Sequence, residues 1–131
     1  MLSQQSLTEL FAKQHNWQDR YRQLVMLAKQ LPDFPDEQKT AQNQVNGCEN
    51  RVWLTYQKRT DDTYVFSGDS EGRIVKGLLA VLISIANHKT AQQIAAIDFQ
   101  SVLHELKITD ELSQARLQGV TKLIERIKSV V

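Results

Sequence analysis

The chain reads as an α+β protein, with a small antiparallel sheet packed against several helices. Three observations carry that reading. In "RVWLTYQ", Val52, Leu54 and Tyr56 alternate with Trp53, Thr55 and Gln57, the period of a strand, and "YVFSG" follows after a turn. On both sides of that pair, apolar residues recur at helical spacing. The length of 131 residues fits one domain, 1–131, large enough to bury roughly two thirds of its unfolded surface without a disulfide or metal.

The elements follow in order. "SLTEL" sets Ser6 three residues before Glu9, a capping-box pattern that opens a short helix. Asn16 is the N-cap expected for the next helix, with Asp19 in its first turn. Trp17, Tyr21, Leu24, Ala28 and Leu31 then fall on one face. "PDFPDE" ends that helix, because two prolines in close succession cannot continue it. "QKTAQNQVNG" is polar and reads as an ordered loop with at most one helical turn. After the first strand "KRTDDT" is a turn, so the two strands form a hairpin. "GDSEG" either breaks the sheet or carries a short third strand. Residues 74 to 87 are apolar nearly all round, the mark of a central buried helix. Thr90 and Asp98 are the N-caps expected for two further short helices. From Ser113 on, Leu117, Val120, Leu123 or Ile124, and Ile127 form one stripe.

Composition excludes several function classes. The apolar share of 41% and charged share of 24% are those of an ordinary globular protein. Net charge is +1 with acids and bases interspersed, so no broad field invites nucleic acid or anionic lipid. The longest apolar run, "IVKGLLAVLISIA", is broken by a lysine and is short of the roughly 20 residues of a membrane span. "MLSQQSLTEL" lacks the basic and apolar regions of a signal peptide. A soluble chain of a reducing compartment, most simply the cytoplasm, is expected.

One cysteine, Cys48, stands in "NQVNGCENRVWL". It cannot form an internal disulfide or supply a four-thiolate metal site, and no metal is expected. A lone cysteine is ordinarily a small buried hydrophobe. Here Gly47 precedes it, the residue a chain uses for a turn with positive φ or a close approach. Asn46, Glu49, Asn50 and Arg51 surround it with polarity. The setting is a loop tip, where an unpaired thiol is open to oxidation and its reactivity is the reason to keep it. Arg51 favours the thiolate and Glu49 opposes it. Two chemistries suit such a thiol. One is a hydrolase or transferase nucleophile, which needs an imidazole base from His15, His88 or His104. The other is a sulfur carrier holding a persulfide, which needs only access for a donor and then shelter. In the second case the loop from Asn43 to Arg51 turns Cys48 inward. Val45, Val52, Leu54, Leu78, Leu79 and Leu82 offer apolar cover, and the loop swings out for the donor.

"GCENRVWL" together with "GDSEGRIVKGLLAVL" resembles the SufE family of sulfur acceptors, closest to its CsdE branch, and the similarity covers nearly the whole chain. "NWQDRYRQLVMLAKQLP" is similar to the family's Trp-x-x-(Lys/Arg)-Tyr helix. "ARLQGV" stands at its Ser-Arg-x-x-Gly-Leu stretch, with Ala115 and Val120 as mild departures. The resemblance implies a fold like that of the scaffold protein IscU, without the several ligands a scaffold needs. It also implies an accessory protein, not an enzyme in its own right, whose Cys48 accepts sulfur as a persulfide from a cysteine desulfurase, CsdA-like or SufS-like. The pyridoxal phosphate belongs to that desulfurase, and no cofactor is implied for this chain. The sulfur then passes to a downstream acceptor, in iron–sulfur cluster assembly or another transfer pathway. Gly47, Arg51, Asp69 and Glu71 are expected to support the loop, with Ser70 in the same turn. Glu105 and Arg116 match polar positions of the family and are expected on the docking face. Trp53 and Tyr56 read as sheet packing.

Overall fold

A computed structural model describes residues 2–131. In chain order it contains α1 (Gln4–Ala12), α2 (Trp17–Ala28), β1 (Val52–Lys58), β2 (Thr63–Ser70), α3 (Arg73–Ala86), β3 (Lys89–Thr90), α4 (Ala91–Ala96), α5 (Phe99–Glu105) and α6 (Gln114–Ser129). The three strands form one antiparallel sheet in the order β1-β2-β3. The α+β class expected from the sequence is the class observed.

Side-chain oxygens set most helix starts. Asn16 accepts from the Asp19 amide at 2.9 Å, Asp98 from Ser101 at 3.0 Å and Ser113 from Arg116 at 3.3 Å. Thr90 forms a reciprocal capping box with Gln93. The first helix departs from expectation. Ser3, not Ser6, is its cap, and the Ser6 amide donates to Ser3 Oγ at 3.1 Å. Starting one turn earlier puts both Leu7 and Phe11 into the core.

α3 is the hub. Of its residues only Arg73 and Lys76 escape burial, and both the sheet and α2 pack on it. Gly77 permits the closest approach, since a Cβ there would overlap the Leu24 carbonyl of α2. One apolar cluster runs from Leu7 through α3 to Ile127.

The hairpin register pairs Val52 with Ser70 and Lys58 with Tyr64. β2 therefore continues through Asp69 and Ser70, so "GDSEG" neither ends the sheet early nor adds a strand. The third strand is Lys89–Thr90, paired with Tyr64 and Thr63 at the opposite end of the hairpin. Tyr56 lies across from Phe66 but remains 52% exposed, so its packing covers one face of the ring only. No helix among the described residues is long and apolar enough to cross a membrane.

Candidate functional site

The only thiol sits where the loop before β1 crosses α6. Asn43–Val45 add a short rung to the sheet edge. Val45 donates its amide to the Val52 carbonyl at 2.8 Å, and Leu54 donates to Asn43 at 2.9 Å. The chain then leaves the sheet for Asn46–Asn50 and returns at Arg51. Gly47 has φ +92°, a backbone that side-chain-bearing residues rarely adopt. That turn points Cys48 back toward the protein, where its thiol lies 3.7 Å from the Gly119 carbonyl.

Below the thiol is a small cavity. Its walls are Val75 and Leu78 of α3 and Gly119, Val120 and Leu123 of α6. About 10 Å³ is free inside, the room of one water-sized sphere. Burial pushes the Cys48 thiol above its ordinary pKa, because the thiolate would lose hydration with no counter-charge in return. The thiol turns inward as expected but is only half-buried, and its cover differs from the expected one. Leu78 does line the cavity, whereas Val45, Val52, Leu54, Leu79 and Leu82 do not, and α6 supplies the larger wall.

The polar residues divide into groups. Arg51 grips Glu71 through two hydrogen bonds, 2.9 Å to Oε1 and 2.7 Å to Oε2, and lies 5.5 Å from the Trp53 ring centroid. The hydrogen bond to Glu71 raises the Arg51 pKa, and its counterpart from Arg51 lowers that of Glu71. The guanidinium is thereby committed to the loop's root and not to the thiolate. Asp69 takes Lys39 at 3.2 Å and Lys76 at 3.1 Å. Desolvation acts to raise the Asp69 pKa, but Lys76, the Ser70 amide and Lys39 outweigh it and hold the carboxyl below its ordinary value. Ser70 Oγ and the Glu71 amide both donate to the Arg51 carbonyl, at 2.9 and 3.1 Å. Gly47, Arg51, Asp69 and Glu71 thus belong to the loop and its root. Trp53 is buried between the Lys39 and Arg51 cations.

Arg116 lines the thiol cavity, and its Nε is buried without a hydrogen-bond partner. Glu105 is elsewhere: at the end of α5 it borders a groove with Thr8, Phe11 and Ala12. The structure does not bring it to the thiol. No histidine lines the cavity either. The His88 ring accepts from Arg59 at 2.9 Å at the hairpin's far end, and His104 sits 3.7 Å from Asp110. Among the described residues, no group of three His, Cys, Asp or Glu is placed to hold a metal ion. Sequence reasoning missed Gly119, Lys122, whose stem packs on Gly47, and Arg126. Only Gly119, inside "ARLQGV", stood in a stretch with a readable signal.

Comparison with known proteins agrees with this geometry. The SufE family profile, an Fe-S metabolism associated domain, matches residues 5–131. The sulfur acceptor protein CsdE of Escherichia coli (strain K12) is 46% identical over 94% of this chain and 84% of its own. An uncharacterized SufE-like protein of Rhizobium meliloti (strain 1021) is 35% identical over 98% of this chain and 94% of its own. In fold, the solution structure of a hypothetical protein from Thermus thermophilus superposes with a TM-score of 0.72 over 98% of this chain and 94% of that one, at 15% identity. A cysteine loop folded over α6, carried on this sheet and matched along nearly the whole sequence, makes the chain a member of the SufE family.

Proposed function

We propose that this protein is a sulfur acceptor that takes sulfane sulfur on Cys48 from a pyridoxal-phosphate cysteine desulfurase and passes it on. The observation that carries the reading is the single thiol housed in an apolar cavity with room for one more small atom. Family membership and the CsdE relative's name as a sulfur acceptor support it.

The chemistry is a displacement. The Cys48 thiolate attacks the outer sulfur of the desulfurase persulfide. A new bond to Cys48 Sγ forms as the enzyme's S–S bond breaks, and the electron pair leaves on the desulfurase thiolate. No oxidant, metal or cofactor on this chain enters the balance. In the closed loop the thiol is half-buried and its ionisation disfavoured, so reaction is favoured when the loop opens toward the donor. Returning inward afterwards keeps the persulfide from stray thiols, since exchange depends on access. Loss of the sulfur restores a free desulfurase, which turns over faster without this chain being an enzyme in its own right. Delivery goes to a downstream acceptor protein in iron–sulfur cluster assembly or another sulfur-transfer pathway, in the cytoplasm. Arg116, which lines the cavity, is the docking contact in this reading. A hydrolase using Cys48 has no imidazole in the cavity to act as its base.

The test is intact mass after incubation with a desulfurase and cysteine. Wild-type protein gains one sulfur atom, and Cys48→Ser gains none and no longer stimulates the desulfurase. Stimulation by the serine variant at the wild-type level would refute the carrier chemistry.

A further inference from the structure

We infer that Arg126 is a positioning residue for this sulfur transfer, holding the entry root of the Cys48 loop on the same helix that walls the thiol cavity. The inference rests on the carrier reading above. From α6, Arg126 donates to the Gln44 carbonyl at 3.2 Å and to the Gln42 carbonyl at 2.6 Å. These carbonyls are 82 and 84 residues away in sequence, and they flank Asn43, whose own carbonyl joins the sheet edge. One planar guanidinium thus ties the carbonyls on either side of Asn43, where the rung begins, to α6, a fork geometry that a lysine cannot reproduce.

The exit root is fixed separately, by Arg51 on Glu71 and by the bonds from Ser70 and Glu71 to the Arg51 carbonyl. Between the roots the situation changes. Beyond the tight turn at Asn46 and Gly47 itself, Asn46–Asn50 make no hydrogen bond from main chain to main chain among the described residues. Their hold on the body is the Cys48 side chain on α3 and α6, the Lys122 stem against Gly47 and the Asn50 side chain against Gly72. Opening is therefore confined to five residues, not to the whole stretch from Asn43 to Arg51. At about 3.5 Å per residue, such a short span folded back on itself carries the thiol outward by roughly 10 Å at most. Gly119 and Arg126 are two turns apart on α6, so the strut and the thiol's seat are parts of one rigid element. Arg126 makes closing a return to a set position rather than a search.

The experiment uses full-length protein with Arg126→Met and Arg126→Lys, and needs no desulfurase. Amide hydrogen exchange is read at Val45 and Leu54, and Cys48 alkylation by iodoacetamide is followed alongside. Losing a net hydrogen bond from a charged donor predicts that both rates rise roughly tenfold in the Met variant. Exchange on α3, which reports global unfolding, should rise by no more than that factor and stay far slower than at Val45 and Leu54, and the Lys variant should fall between. If the Met variant does not fold, the Lys variant alone must show the local rise. Wild-type rates at Val45, Leu54 and Cys48 would overturn the inference. So would Val45 and Leu54 rates that coincide with those of α3, which marks exchange by global unfolding alone and a merely structural residue. Failure of the carrier reading shows instead as absence of added sulfur on the wild type.

Discussion

Replacing Gly47 with alanine should open the Cys48 loop without unfolding the protein. At φ +92° an alanine is strained, at a cost of about 1–3 kcal/mol. Its Cβ would also stand 2.9 Å from Lys122 Cγ and 3.3 Å from Cδ. Lysine is a flexible chain that can swing aside, so the backbone strain is the larger effect. The strain is relieved as soon as Asn46–Asn50 leave their seat, because both roots are held by other groups. The closed state thus loses a factor of roughly 5 to 150 against the open one. Iodoacetamide reports this directly, since Cys48 is the only thiol in the chain. The alkylation rate should rise by that factor, while α3 amides, which exchange through global unfolding, rise no more than the strain permits. Alkylation of Gly47→Ala at the wild-type rate would show that the φ at Gly47 does not hold the thiol inward.

Three further outcomes follow from the same geometry. Burial raises the Cys48 pKa, so the closed loop's preference for neutral thiol is intact below the unfolded value of about 8.5 and is lost as pH rises through the folded value. The native alkylation profile should therefore have its midpoint above that of a urea-unfolded control, and a midpoint at or below the control contradicts it. Leu78, 1% exposed, joins the cavity wall to the core, so Leu78→Ala should cost about 2–5 kcal/mol in urea unfolding and speed alkylation; a loss under about 1 kcal/mol would mean the wall collapses freely. Asp69→Asn leaves Lys39 and Lys76 without their carboxylate, and should cost about 1 kcal/mol at neutral pH. Because the Asp69 pKa is lowered, that contribution exists above about pH 4 and fades as pH falls further, so variant and wild type should converge in acid.

Features written in a few adjacent residues are legible in the sequence alone. The caps at Asn16, Thr90 and Asp98 depend only on the next three positions, and all three form. The run from Val52 is β1 although its first three residues are buried on both faces and its last three are exposed, because its β-branched and aromatic residues favour a strand and β2 pairs along its whole length. Ser3 caps α1 where Ser6 was expected, because the earlier start buries Leu7 and Phe11, which only the packed core reveals. β3 has two residues, too few for any period to show. The site was half legible. Gly47-Cys48 announced a turned loop, and its neighbours Arg51 and Glu71 do meet. The cover over the thiol was hidden, because Gly119 lies 71 residues downstream and only packing decides which stripe of α6 faces which loop. Glu105, expected on the docking face from residue type alone, lies in a groove with Thr8, Phe11 and Ala12 and not at the thiol cavity, a placement set by the packing of α5.

The distance in sequence between the thiol and its cover also has a history in time. Synthesis runs from the N-terminus at about 5–20 residues per second, so Cys48 emerges well before the helix that will shelter it. For roughly 4 to 14 seconds the growing chain has its thiol and no seat to put it in, judged from the 71 residues that separate Cys48 from Gly119. Arg126 and Leu123, which complete the strut and the wall, arrive later still. A nascent chain stalled before α6 would therefore present Cys48 without the helix that supplies most of its cover.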